Sequence, residues 1–150
     1  MEKTASIKPA DMASLYVAYL RALYQIHQNN HWKTKGDNFY GNHLLFQRLY
    51  EETQGMADGA AEKAMGVFGE LDVRPETIAQ ITEKFNADNY KGDTVQSSLN
   101  AEKGFQALSR QFYDTLEEAG ALSLGWDDAI MANANTSESH IYLLQQANGQ

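Results

Sequence analysis

Two imidazoles and two carboxylates between His31 and Glu62 are the residues of this chain best suited to hold a metal ion. The stretch opens His31-Trp32-Lys33-Thr34-Lys35-Gly36-Asp37-Asn38-Phe39, continues to His43, and closes with Asp58-Gly59-Ala60-Ala61-Glu62. Imidazole nitrogen combined with carboxylate oxygen suits a borderline or hard transition ion such as iron. Gly36 predicts a helix stop, because glycine takes the left-handed conformation without a Cβ clash. Asp37 or Asn38 is then expected to cap a second helix through its side chain. His31 lies five residues before Gly36 and His43 seven after it. At about 1.5 Å of rise per residue, an antiparallel hairpin sets the two rings nearly level.

Asp58 and Glu62 stand at i and i+4 on that second helix, so they share a face. His43 and Asp58 are fifteen residues apart, which is about 22 Å along an unbroken helix. Metal–ligand bonds are only about 2 Å long. If all four residues serve one metal centre, the carboxylates must come from a second copy. A two-fold axis crossing this helix would bring His31 and His43 of one chain to the partner's Asp58 and Glu62, twice over.

The elements that must position these groups read as helices. The chain has 150 residues, of which 43% are hydrophobic, with 2 Pro and no Cys. That is enough for one domain with a sizeable core, taken to span residues 1–150. The absence of Cys removes thiolate metal sites and disulfides and is compatible with a cytoplasmic location. The formal charge of −8 opposes nonspecific DNA or anionic-membrane binding and suits cation uptake. The apolar run after the polar N-terminus is broken by Arg21, so neither a signal peptide nor a membrane span is expected.

Residues 1–9 read as a short polar tail. Helix A is expected from Pro9 to about Lys35, with Leu15, Tyr19, Leu23 and Ile26 facing a core. Helix B follows from Phe39 to Phe68, with Phe39, Phe46, Leu49, Met56 and Met65 inward and Gly66 and Gly69 ending it. Gly55 and Gly59 inside it cost about 1 kcal/mol each relative to Ala. They read either as tolerated weakness or as close approach of another helix. Residues 70–94 form the longest connection and hold a short helix, Glu76 to Phe85. A middle link of that length predicts a crossover, with helices B and C parallel. Helix C is expected over Thr94–Ala119, with Leu99, Phe105, Leu108, Phe112 and Leu116 inward. Helix D is expected over Trp126–Ala147, with Ile130, Ile141, Leu143 and Leu144 inward.

Four long helices with a middle crossover is the all-α, ferritin-like architecture. Within it, His31-Trp32, Gly36, Phe39, His43, Phe46, Tyr50, Asp58, Ala61-Glu62 and Ala64 resemble the Dps family, the mini-ferritins. The short helix of the middle connection and His140-Ile141-Tyr142-Leu143-Leu144 are similar to that family's corresponding segments. The resemblance covers nearly the whole chain. It implies a hollow shell of twelve subunits with a ferroxidase centre at each two-fold interface. Fe(II) would be oxidised there, preferentially by hydrogen peroxide, and ferric mineral stored inside. Carried over, His31 and His43 are ligands from one subunit and Asp58 and Glu62 from its partner. Trp32 resembles the neighbouring aromatic. Asp127 and Asp128 open helix D and complement its dipole; in the family, acidic residues near this position line a three-fold pore.

Two departures stand out. The Asp that many members carry four residues after the second His is here Gln47, a weaker ligand for a hard cation. The usual Arg after the Glu is Lys63, which keeps the charge but loses bidentate geometry. Di-iron centres inside a single bundle use Glu-x-x-His. The residues three before His27, His31, His43 and His140 are Tyr24, Gln28, Tyr40 and Ser137, which argues against such an intrachain centre. His27 and His140 therefore read as surface or hydrogen-bonded histidines. Glu51 reads first as a solvated charge, and Tyr16, Tyr19, Tyr24, Tyr40 and Tyr50 as core or interface. Two other readings remain: a DNA-coating protein with a secondary iron role, disfavoured by a tail offering only Lys3 and Lys8, and a shell whose weakened site holds zinc.

Overall fold

Pro9, with φ preset for a first helical turn, opens α1, which spans Pro9–Lys33. It is followed by α2 (Phe39–Phe68), α3 (Pro75–Asn89), α4 (Thr94–Glu118) and α5 (Leu124–Ala147). These come from a computed structural model that describes residues 7–89 and 93–149. Most of the N-terminal tail, including Lys3, lies outside the described residues.

Contacts along the helices give their directions. Tyr16 meets Phe112, Tyr19 meets Ala101 and Phe105, His27 meets Ser98 and Asn30 meets Ser97. Ascending numbers on α1 meet descending numbers on α4, so the two are antiparallel. The short Gly36 turn makes α1 and α2 antiparallel as well, so α2 and α4 run parallel. Glu52 meets His140 and Phe68 meets Trp126, which makes α5 antiparallel to α2. The four long helices form a ferritin-like bundle, and α3 packs across α1 and α4.

Two apolar clusters fill the bundle. The larger holds Tyr16, Leu20, Leu23, Phe105, Phe112, Leu116 and Trp126. The smaller holds Phe46, Leu49, Val95, Leu99 and Leu144. Burying one such side chain is worth about 1.5–3 kcal/mol. The expected inward faces hold for Tyr19, Leu23, Ile26, Phe46, Leu49, Ile130, Leu144 and all five positions on α4. Leu15, Met56, Ile141 and Leu143 are half-buried. Phe39 and Met65 are instead exposed in the single chain, at 42% and 50%.

Four local details differ from the sequence expectation. Helix α1 ends at Lys33, where Thr34 swings to ψ 146°. Asn38 occupies the cap of α2, but its side chain makes no capping bond. At φ −102° and ψ 23° it lacks the extended backbone that aims a capping oxygen at the next amides. The turn closes through backbone bonds instead, Phe39 N–H to Gly36 O at 3.0 Å and Asn42 N–H to Asn38 O at 2.9 Å. Finally, Gly66 stays helical and Gly69 alone ends α2, at φ 74°. The short middle helix is longer than Glu76–Phe85 at both ends.

Candidate metal centre

Gly36, at φ +96°, turns the chain sharply enough to set the end of α1 beside the start of α2. That turn places His31 and His43 face to face, with ring centroids 3.7 Å apart and planes 17° from parallel. Each ring is held by the other residue's backbone. His31 Nδ1 donates to the His43 carbonyl at 2.7 Å, and His43 Nδ1 donates to the His31 carbonyl at 2.7 Å. A carbonyl only accepts, so Nδ1 carries the hydrogen in both rings. That leaves Nε2 of each ring as the nitrogen that could ligate a metal. A histidine ligand is ordinarily oriented by such a bond from its other nitrogen to a carbonyl or carboxylate.

Aromatic rings enclose the pair. Phe39 stacks on His43 at 5.0 Å, and Tyr50 meets His31 edge-on at 5.3 Å. Trp32 projects outward and is 64% exposed. Tyr24 packs edge-on against Tyr50. His31 is buried and His43 half-buried, so the pair lies at the protein surface.

The carboxylates are elsewhere. Helix α2 runs unbroken from Phe39 to Phe68, and Asp58 and Glu62 stand exposed on it well beyond His43. Among the described residues, no three His, Asp or Glu side chains are grouped to hold a metal within one chain. Around Asp58 lies an open depression between α1, α2 and the following connection, whose lining includes Arg21, Tyr24, Gln54 and Leu71. Gln47 is not turned to the histidines; its amide donates to Glu51 at 3.0 Å. Lys63 lies over the Trp126 ring, 6.0 Å from its centroid. Asp127 is half-buried, and Asp128, next to it at the start of α5, is exposed. Gly55 and Gly59 are exposed, with no neighbour within 4 Å of where a Cβ would stand, so no helix of the same chain approaches them.

The interior holds a titratable cluster, one member of which, Glu102, sequence reading passed over. His27, Glu102 and His140 are buried and hydrogen-bonded to one another between the two apolar clusters, with Glu52 at the rim. Of the two readings given for His27 and His140, surface or hydrogen-bonded, the structure shows the second, with both rings buried; Glu102 was not singled out. A signal was present: Glu102 lies between Leu99 and Phe105 on the apolar stripe of its helix, where a charge demands a partner.

No family model matches the chain. It is 26% identical over 133 residues to general stress protein 20U of Bacillus subtilis, covering 86% of this chain and 89% of that protein. It is 24% identical over 140 residues to the DNA protection during starvation protein of Brevibacillus brevis, covering 86% of this chain and 87% of that protein. Among solved structures, an H31G mutant of Listeria innocua Dps superposes with a TM-score of 0.85 at 16% identity, covering 99% of this chain and 97% of that one. Vibrio cholerae Dps, described as a member of a broad superfamily of ferritin-like diiron-carboxylate proteins, gives a TM-score of 0.77 at 15% identity, covering 97% of this chain and 98% of that one. The fold is therefore that of the Dps proteins. No described helix is long and apolar enough to cross a membrane.

Proposed function

We propose that this chain, which has the Dps fold and resembles Dps proteins over most of its length, is a mini-ferritin: a cytoplasmic ferroxidase that oxidises Fe(II) and stores ferric iron in a shell. The observation that carries the reading is the reciprocal clasp of His31 and His43. It fixes both tautomers and both ring orientations before any ion arrives, which is what a preorganised ligand pair requires. The partner's Asp58 and Glu62 complete the donor set across a two-fold axis, and twelve copies close the particle.

Iron is the substrate. The imidazoles accept Fe(II), and the harder carboxylates favour the Fe(III) product, which lowers the reduction potential of the bound ion. Two Fe(II) give one electron each to one hydrogen peroxide. The peroxide takes up two protons and leaves as two waters, so no hydroxyl radical is released. Trp32 stands beside the site, and Asp127 and Asp128 are the candidate lining of an iron pore. Gln47, bonded to Glu51, supplies no carboxylate to a second iron position. That feature makes the second iron position the weaker of the two and leaves zinc as a competitor at the site.

The test is anaerobic addition of Fe(II) and peroxide to the assembled protein, followed by ferric absorbance. The parent should oxidise iron rapidly, while a His31→Ala and Asp58→Ala double variant should fall to the uncatalysed rate. Equal rates would remove the site. The charge of −8 weighs against direct DNA coating, and a gel shift at low salt without divalent cations would reinstate it.

A further inference from the structure

Four titratable side chains meet inside the bundle, apart from the candidate metal centre, and each comes from a different long helix: His27 on α1, Glu52 on α2, Glu102 on α4 and His140 on α5. The directions of their hydrogen bonds locate the protons. His140 Nδ1 lies 2.9 Å from Glu102 Oε1, and its Nε2 lies 2.5 Å from Glu52 Oε2. Ionised carboxylates only accept, so both ring nitrogens of His140 carry hydrogen and the ring is an imidazolium.

The other histidine differs. Asn30 Nδ2 donates to Ser98 Oγ at 2.8 Å. The Ser98 hydroxyl also lies 2.9 Å from His27 Nδ1. His27 Nε2 donates to Glu102 Oε1 at 2.9 Å, so His27 meets one carboxylate where His140 meets two. The Ser137 hydroxyl donates to the remaining Glu102 oxygen at 2.6 Å. Arg48 Nε bonds Glu52 at 3.1 Å. The His140 ring thus sits between two carboxylates, with Arg48 beside Glu52.

We propose that His140 is a buried proton-binding site that latches α5 to α2 and α4, holding through acid and neutral solution and releasing the C-terminal half of α5 when the proton leaves in alkali. The charged and titratable groups facing it are Glu52, backed by Arg48, on α2 and Glu102 on α4, with His27 of α1 beyond Glu102. Loss of the proton leaves a carboxylate inside the bundle without its cation, and an uncompensated buried charge is strongly unfavourable.

The direction of each titration agrees. Burial pulls the His140 pKa down, but hydrogen bonds and charge from Glu102 and Glu52 outweigh it and hold the ring above its ordinary 6.5. Its contribution is therefore complete below 6.5 and is lost as pH rises through the higher folded value. Burial pushes Glu102 up, but bonds from His140 and His27 bring it down to about 2. Its contribution is complete above the ordinary 4.5 and is lost only as pH falls toward 2. The latch therefore tolerates acid and fails toward alkali.

The test uses the assembled full-length protein. Amide exchange, corrected for intrinsic rate, is followed by peptide across α5 and α1 from acid to strongly alkaline pH. Exchange across residues 137–144 should quicken about tenfold or more than across α1 as His140 deprotonates, and Glu52→Gln should move that midpoint about one pH unit lower. Uniform exchange across both helices, or a midpoint unmoved by Glu52→Gln, would overturn the latch. Solid-state NMR of histidine-labelled parent protein needs no variant. Both His140 ring nitrogens should be protonated at neutral pH, and a single unprotonated nitrogen would overturn the assignment.

Discussion

His31 and His43 differ from His140 in what their Nδ1 meets. At His31 and His43 it meets a backbone carbonyl, which leaves Nε2 as the nitrogen that could ligate at the protein surface. At His140 both nitrogens meet carboxylates in the interior, and nothing is left for a ligand. The same side chain is thus prepared for a metal in one place and for a proton in the other. Gln47 is the residue whose replacement speaks most directly to the candidate centre. Gln47→Asp restores a carboxylate one turn from His43 and should raise the Fe(II) equivalents bound per subunit in anaerobic titration calorimetry, by up to one. Unchanged stoichiometry would mean that position 47 does not face the metal. The departure at Gln47 was legible in the sequence because it is a matter of residue type at a known spacing. The reciprocal clasp was not, since it depends on two backbone carbonyls that no pattern of side chains reports.

At the scale of elements, two glycines carry geometry that another residue would disturb. Gly36 sits at φ +96° between α1 and α2. Gly36→Ala should cost about 1–2 kcal/mol in chemical unfolding, the penalty for a left-handed L-residue. It should also disturb the His31–His43 stack. Gly104 faces the α1–α3 contact, where an added Cβ would stand 2.7 Å from the Phe85 ring and collide with the Tyr19 hydroxyl. That hydroxyl donates to Ala101 O at 2.8 Å and cannot simply swing aside. Gly104→Ala should therefore lower stability by about 1–3 kcal/mol despite its better helix propensity, and a raised midpoint in thermal unfolding would contradict the overpacking argument. Helix positions were legible because apolar residues recur at helical spacing and Gly69 and Pro9 mark ends. The exact cap at Asn38 was not, because capping depends on backbone angles set by the whole turn.

At the scale of the whole molecule, the exposed apolar side chains Phe39, Tyr40, Leu44, Met65 and Val67 lie along α2 with Asp58 and Glu62. A shell covers such a face, and light scattering on the purified protein should report a particle of about twelve chains. A dimer would leave the storage reading without a cavity. Two-chain sites make a further expectation. Variants His31→Ala and Asp58→Ala, each inactive alone, should recover about a quarter of the parental sites when unfolded and refolded together in equal amounts. A mixed pair contains one site with every ligand intact and one with neither pair complete. No recovery after verified coassembly would argue for sites within one chain. Ferric hydrolysis releases protons as mineral grows, so an interior latch that persists in acid suits the storage reaction proposed here.

The amino-acid order alone determined the helical elements, the parallel crossover of α2 and α4, and the separation of the imidazole pair from Asp58 and Glu62. All three follow from local rules: a fixed rise per residue, apolar recurrence at that pitch, and the conformational freedom of glycine. Only the tertiary structure decided the tautomers of His31 and His43, the inward meeting of His27, Glu52, Glu102 and His140, and the exposure of Phe39 and Met65. Those depend on which side chains and backbone carbonyls the packing of the helices brings together and which it leaves uncovered. Distance along a sequence carries no record of that until the helices are packed.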